Sequence, residues 1–174
     1  SAGIGTCAET LKHCPTQSVQ MAQAILTSDT CEKLATVTIQ YQGKTFTLAG
    51  MAKGAGMIEP NMATMLAFIV TDLDATHASL QKCLSKANAQ TFNCISIDGD
   101  MSTNDTVILL ANGESGSSID EDPVLEEAFQ EALTLISEIL AKKIVSDGEK
   151  ITKVVTLEVK GCSTSEGAEK VARA

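Results

Sequence analysis

An uninterrupted apolar run, Met65-Leu-Ala-Phe-Ile-Val70, follows directly on a segment rich in Gly, Pro and Asn. So short a run, bounded by turn residues, predicts a strand over 64–70 at the centre of a sheet. Upstream, residues 34–41 and 44–49 alternate with β-branched positions around Gln42-Gly43 and read as a hairpin. Pro15 suits the first turn of a helix carrying Val19, Ala22, Ile25 and Leu26, which the polar residues Thr27 to Thr30 end. Asp74 is placed to cap a helix over 75–88, with Leu80, Leu84 and Ala87 on its buried side. Cys94, Ile95 and Ile97 open another strand, and a polar loop over 98–105 leads to a strand over 107–111. Residues 112–122, rich in Gly, Ser and acids, read as an exposed loop. Leu125, Phe129, Leu133, Ile136 and Leu140 then recur at helical intervals within 123–145. Residues 151–159 alternate as a strand, and Ser163 or Ser165 is placed to cap a closing helix. No repeat of 20–50 residues is visible. Hairpins and separate helices together predict an α+β fold, with helices layered on a mostly antiparallel or mixed sheet.

The 174 residues suffice for one domain with a real core. That core has to rest on Ala, Val, Ile, Leu and Met, because the chain has no Trp, four Phe and one Tyr. A formal charge of −9 disfavours nucleic acid, whose binding needs Lys and Arg to replace counterions. It says little about a small amino acid, which responds to the local field. The six cysteines form no C-x-x-C pair, so zinc spacing is absent; buried, reduced thiols are the simplest expectation for all six. No membrane-length apolar run or signal peptide is visible, so a cytoplasmic protein is expected, or one of an organelle matrix if a leader is removed.

The segment from Gly50 to Asp72 also points to chemistry. A glycine-rich loop, Pro60-Asn61 and a small residue precede Thr64. This layout suits a threonine that breaks its own upstream peptide bond and then acts as an N-terminal nucleophile. Its hydroxyl needs an adjacent base, and the freed α-amine, with a pKa of roughly 7.7–8.0, supplies one. The same residues also read locally as an ordinary turn and strand start. A phosphate cradle does not fit, because Lys53-Gly54 is not followed by Ser or Thr. Asp98, Asp100 and Asp105 begin like a calcium loop, but Thr103 stands where glycine is required and no Glu follows at the right distance. A structural turn fits them better, and no metal is expected.

Lys53-Gly-Ala-Gly-Met-Ile-Glu-Pro-Asn-Met-Ala-Thr64-Met-Leu-Ala-Phe closely resembles the cleavage and nucleophile motif of the ornithine acetyltransferase family, the bifunctional glutamate N-acetyltransferases of arginine biosynthesis. Residues 26–30, 92–106 and 145–153 resemble further family segments in order and spacing. The resemblance implies the ornithine acetyltransferase / DmpA-like fold and self-cleavage between Ala63 and Thr64. It implies Thr64 as catalytic nucleophile, and Thr27, Lys53, Thr64 and Glu149 as substrate-binding residues. In that role Lys53 pairs with an amino-acid carboxylate and Glu149 with an ammonium. Taken locally, Lys53 and Glu149 are solvated loop residues and Thr27 a helix-end hydrogen bond. The implied reaction moves acetyl from N-acetylornithine to glutamate, with acetyl-CoA as a further donor in bifunctional members and no cofactor. The implied partners are complementary alpha and beta chains in a heterotetramer, without nucleic acid or membrane.

The resemblance places an oxyanion Thr-Gly pair upstream of residue 1 and a further binding segment after Ala174. The expectation is therefore a partial domain over 1–174, with 1–63 ending the alpha part and 64–174 starting the beta part. Two rival expectations stand beside it. One is an N-terminal-nucleophile amidohydrolase or aminopeptidase, in which water takes the acyl group. The other is a non-catalytic fragment that acts only by packing.

Overall fold

A computed structural model describes residues 17–58, 65–99 and 105–173. The short helix α1 (Gln17–Ala24) leads to β1 (Lys33–Tyr41) and β2 (Lys44–Lys53). After β3 (Leu66–Thr71) come α2 (His77–Gln90), a 3-10 turn (Phe92–Cys94) and β4 (Thr106–Ala111). The long helix α3 (Pro123–Ser146) and the terminal α4 (Ser165–Arg173) complete the order.

The four strands form one sheet in the order β1-β2-β3-β4. The first three are antiparallel, and β4 runs parallel to β3 after the crossover through α2. The sheet is therefore mixed, and the architecture is α+β as expected. Gln42 and Gly43 join β1 to β2 with φ of 48° and 75°, the pair of positive values that a two-residue hairpin turn of matching twist requires.

Strand periodicity divides the sheet into two faces. Phe46, Leu48 and Ala52 of β2, Ala67 and Ile69 of β3 and Leu109 of β4 point into the core. The α3 residues Phe129, Leu133, Ile136, Leu140 and Ile144 pack over β1 and β2 at the spacing of one helical face, and α2, packed against α3, reaches β4. Asp122 caps this helix by accepting the N–H groups of Val124 and Leu125, and Pro123 occupies its first turn. Gly50 lets helix and sheet approach closely, since a Cβ there would sit 3.0 Å from Leu140 Cδ1. On the opposite face, register places Met51, Phe68 and Ile108 side by side, with Val70 beside Leu110. Ile108, Val70 and Leu110 are exposed.

Several expectations need correction. The helix α2 is capped by Thr76, whose hydroxyl accepts the Ser79 N–H, and Asp74 instead bridges to Ser118 in the following loop. Residues 94–97 do not open a strand; Ile97 makes a single bridge to Ile58. Residues 151–159 pair with no described strand, and Val154, Val155 and Leu157 are exposed, so alternation here found no neighbouring edge. The closing helix begins at Ser165 and is capped by Thr164 rather than by Ser163, the Thr164 hydroxyl accepting the Gly167 N–H at 3.1 Å. Helix α1 stops at Ala24, which leaves Ile25 and Leu26 beyond it and Val19 exposed.

Helix α3 provides a stability test. Ile136→Ala empties a fully buried site and is expected to cost about 2–5 kcal/mol in urea unfolding. Leu135→Ala, on the exposed side of the same turn, is expected to change stability by no more than about 0.5 kcal/mol.

Candidate active site

The end of β2 and the start of β3 lie side by side, with Lys53 opposite Leu66 in the ladder. Lys53 is buried, and its Nζ donates to Thr27 Oγ1 at 3.3 Å. Two of the expected binding residues, far apart in sequence, thus meet. Glu149 joins them through the glycine-rich stretch that follows Lys53. Its backbone N–H donates to Ala55 O at 2.7 Å. A Cβ at Gly56 would lie 3.4 Å from Glu149 Cδ and 3.5 Å from Asp98 Oδ2, so two carboxyl groups flank this glycine.

Thr64 and Ala63 lie outside the described residues, as does Asp100. Residues 57 and 65, which flank the segment containing Ala63 and Thr64 in sequence, are held by acids. Asp98 Oδ2 accepts the Met57 N–H at 2.7 Å, and Ile58 exchanges backbone hydrogen bonds with Ile97. Asp105 Oδ1 accepts the Met65 N–H at 2.7 Å. Asp98 and Asp105 therefore serve as anchors for backbone, as a structural turn requires. Among the described residues, no group of three or more His, Cys, Asp or Glu could hold a metal ion. Burial raises the Asp105 carboxyl above its ordinary range, against the opposing Met65 N–H and the nearby Lys53 charge.

Backbone strain gathers at the same place. Among the described non-glycine residues, positive φ occurs at Gln42, Met57, Asp98 and Lys150. Gln42 belongs to the hairpin turn. The other three surround the Gly54–Gly56 stretch and Glu149, and strained backbone concentrates at ligand sites more than at ordinary loops.

Beneath this surface lies an ion cluster that neither motif nor periodicity suggested. Lys33 is fully buried, and its Nζ stands 2.7 Å from Asp29 Oδ1, 2.6 Å from Asp147 Oδ2 and 3.3 Å from Cys31 O. All three ammonium protons thus have an acceptor. Asp29 Oδ1 also accepts the Gly54 N–H at 2.6 Å, and Asp29 Oδ2 that of Thr27 at 3.3 Å. Asp147 Oδ2 accepts the Thr30 N–H at 2.9 Å, and the Thr30 hydroxyl binds the other oxygen. The resembling segments 26–30 and 145–153 contain Asp29 and Asp147, but only the Asp29–Lys33 spacing of four links either to Lys33, and on its own it suggests a solvated pair.

The charges in the cluster hold one another ionised. Burial works against the Asp147 carboxylate, but hydrogen bonds from Lys33 and Thr30 bring it down to about 2. Burial likewise opposes the charge on Asp29, which the Gly54 N–H and Lys33 outweigh, so its carboxyl is lowered too. Lys33 is raised, since its two carboxylate partners overcome its own burial.

The cysteines depart from expectation: Cys83 is buried, whereas Cys31, Cys94 and Cys162 are exposed free thiols. Cys7 and Cys14 lie outside the described residues. No helix among the described residues is long and apolar enough to cross a membrane.

Compared with known proteins, the chain matches the ArgJ family model over residues 1–174. It is 49% identical over 159 residues to the glutamate N-acetyltransferase of Methanocaldococcus jannaschii, covering 90% of this chain and 39% of that protein. It is 45% identical over 175 residues to the arginine biosynthesis bifunctional protein ArgJ of Symbiobacterium thermophilum, covering 100% of this chain and 43% of that protein. The crystal structure of ArgJ from Bacillus halodurans, 43% identical, gives a TM-score of 0.47 over 49% of this chain and 41% of that one. The chain therefore spans about two fifths of the length of these curated relatives.

The ion cluster predicts an acid limb in stability. Carboxyls lowered on folding stabilise the protein above their ordinary value of 3.8, and this is lost as pH falls through the folded values, about 2 for Asp147. At about 1.4 kcal/mol per pKa unit, Asp147 contributes on the order of 2 kcal/mol. Urea unfolding at pH values between 2 and 7 is expected to show stability falling below about pH 4. Asp147→Asn should flatten that fall.

Proposed function

Because the chain belongs to the ArgJ family, we propose that it carries the nucleophile-bearing centre of an enzyme moving acetyl from N-acetylornithine to glutamate. The Lys53–Thr27 hydrogen bond, made where β2 is laddered to the start of β3, is the observation that carries this reading. A buried cation that among the described residues donates to a hydroxyl suits a carboxylate. Both substrates of the reaction bring an α-carboxylate.

In the processing step, the Thr64 hydroxyl attacks the Ala63 carbonyl and the peptide shifts to an ester. The Thr64 amine is thereby freed, and water opens the ester to leave the Ala63 carboxylate and the Thr64 hydroxyl. In transfer, that amine takes the hydroxyl proton as the oxygen attacks the acetyl carbonyl. Ornithine leaves with the proton on its departing nitrogen. The neutral amine of glutamate then attacks acetyl-threonine, the threonine oxygen recovers a proton, and N-acetylglutamate is released. Lys53 holds the α-carboxylate in both halves, Thr27 orients the ammonium of Lys53, and Glu149 faces a substrate ammonium. The cycle needs neither metal nor organic cofactor.

The products of cleavage are residues 1–63 and 64–174, the ends of the alpha and beta parts. Their continued association is supported by the β2–β3 ladder, which runs from Lys53↔Leu66 to Leu48↔Thr71 and joins strands on either side of the bond. Complementary chains assemble further as a heterotetramer, in the cytoplasm or an organelle matrix.

Intact mass under denaturing conditions tests the processing step. The expected result is two fragments meeting at Ala63/Thr64 in the parent and one uncut chain in Thr64→Ala. With N-acetylornithine as donor and glutamate as acceptor, Thr64→Ala is expected to lose transfer by about 10³-fold or more. Acetate release at a rate independent of glutamate would instead assign the protein to the hydrolases. For Lys53→Met, loss of a charged hydrogen bond worth about 1.5–3 kcal/mol predicts a KM about tenfold higher or more for both substrates.

A further inference from the structure

A single ammonium links the three segments that carry the proposed substrate contacts. Lys33 lies opposite Ala52 in the β1–β2 ladder, so its side chain enters the core side of the sheet while that of Lys53 leaves by the other. From there it holds two carboxylates, both of which bind backbone of the 27–31 loop. Asp29 takes the N–H of Thr27 itself and that of Gly54, the residue after Lys53. Asp147 takes the N–H of Thr30 and stands two residues before Glu149. The network thus joins the 27–31 loop, the end of β2 and the turn after α3.

We propose that Lys33 is a positioning residue, fixing the mutual placement of Thr27, Lys53 and Glu149 without touching substrate. The role rests on the reading of those three side chains as the amino-acid contacts. Energetics favour positioning over plain stabilisation. Each buried ion gives up most of its hydration, and a well-packed apolar replacement of a whole buried ionic cluster is often neutral or stabilising. What an apolar cluster cannot supply is a set of directed bonds to three separate loops. The Lys33 ammonium has its three acceptors on Asp29, Cys31 and Asp147, and the two carboxylates also accept the backbone N–H groups of Thr27, Thr30 and Gly54 and the Thr30 hydroxyl. Rotation of any one loop would break bonds to the others.

The experiment compares the whole parent protein with Lys33→Met and Asp29→Asn, reading amide exchange by mass spectrometry together with steady-state kinetics. Peptides covering 26–32, 52–57 and 146–150 are expected to exchange about tenfold faster or more in Lys33→Met, and the 26–32 peptide likewise in Asp29→Asn, while α3 peptides over 129–141 keep the parent rate. KM for N-acetylornithine and for glutamate is expected to rise about tenfold, with kcat within about threefold of the parent. Exchange that stays at the parent rate, that accelerates equally in α3, or an unchanged KM in an active variant would overturn the proposal. Removing one partner of a buried pair is strongly destabilising and can leave Lys33→Met unfolded. Asp29→Asn then decides the matter, because it keeps an oxygen for Gly54 and leaves Lys33 its bond to Asp147. A parent that does not transfer acetyl would count against the enzymatic reading, and the exchange pattern would still decide whether Lys33 holds the three loops.

Discussion

The ladder between β2 and β3 is the contact on which the rest of the molecule depends. It fixes Lys53 beside Leu66, and so sets the end of the glycine-rich loop against the start of the next strand. It also places Gly50 under Leu140, letting α3 settle directly on the sheet. Both faces of this strand pair are committed. One is sealed by the aliphatic side of α3, and the other carries Met51, Lys53 and Phe68 at alternate positions. A one-residue slip would exchange those faces, placing the Lys53 side chain in the core and Ala52 at the site. The register of an apolar ladder is therefore also the constraint that positions a cation.

Apolar burial and ionic order divide the work between two regions. The aliphatic core under α3 has the directionless character of packed Leu, Ile and Phe, which drives collapse but tolerates small rotations of a loop. The Asp29–Lys33–Asp147 cluster contributes directed bonds where three loops converge. Asp98 and Asp105 add two further anchors, each spent on a backbone N–H close to the proposed cleavage site. Asp98 and Asp105, two of the three acids that begin like a calcium loop, are therefore used for chain geometry. Positive φ at Met57, Asp98 and Lys150 is the conformational cost of bringing those segments together.

What was legible in the sequence follows from how local each signal is. The hairpin about Gln42-Gly43, the apolar strand before Asp72 and the helix begun by Asp122-Pro123 are all specified within a few residues, and all three formed. Residues 151–159 carry equally good alternation, but a strand also needs a partner edge, which alternation does not encode. Capping failed for a similar reason: Asp74, Ser163 and Ser165 were plausible caps, yet the competing hydroxyls Thr76 and Thr164 stood at the right distance from the first free N–H groups. At the site, the motif indicated Lys53, Thr27 and Glu149, and the fold brings the first two into contact. Lys33 stayed invisible because burial of a lysine depends on Asp147, more than a hundred positions away.

The β2–β3 ladder has one more consequence. While the chain is continuous, the two strands meet at an effective concentration set by the short connection between them. A break anywhere between Lys53 and Leu66 leaves every ladder bond in place but makes the two strands separate molecules. Their pairing then obeys mass action, so dilution opposes reassembly once they part, and the melting point becomes dependent on protein concentration. A single hydrolysed bond would thus change the molecularity of folding while leaving the folded shape nearly untouched.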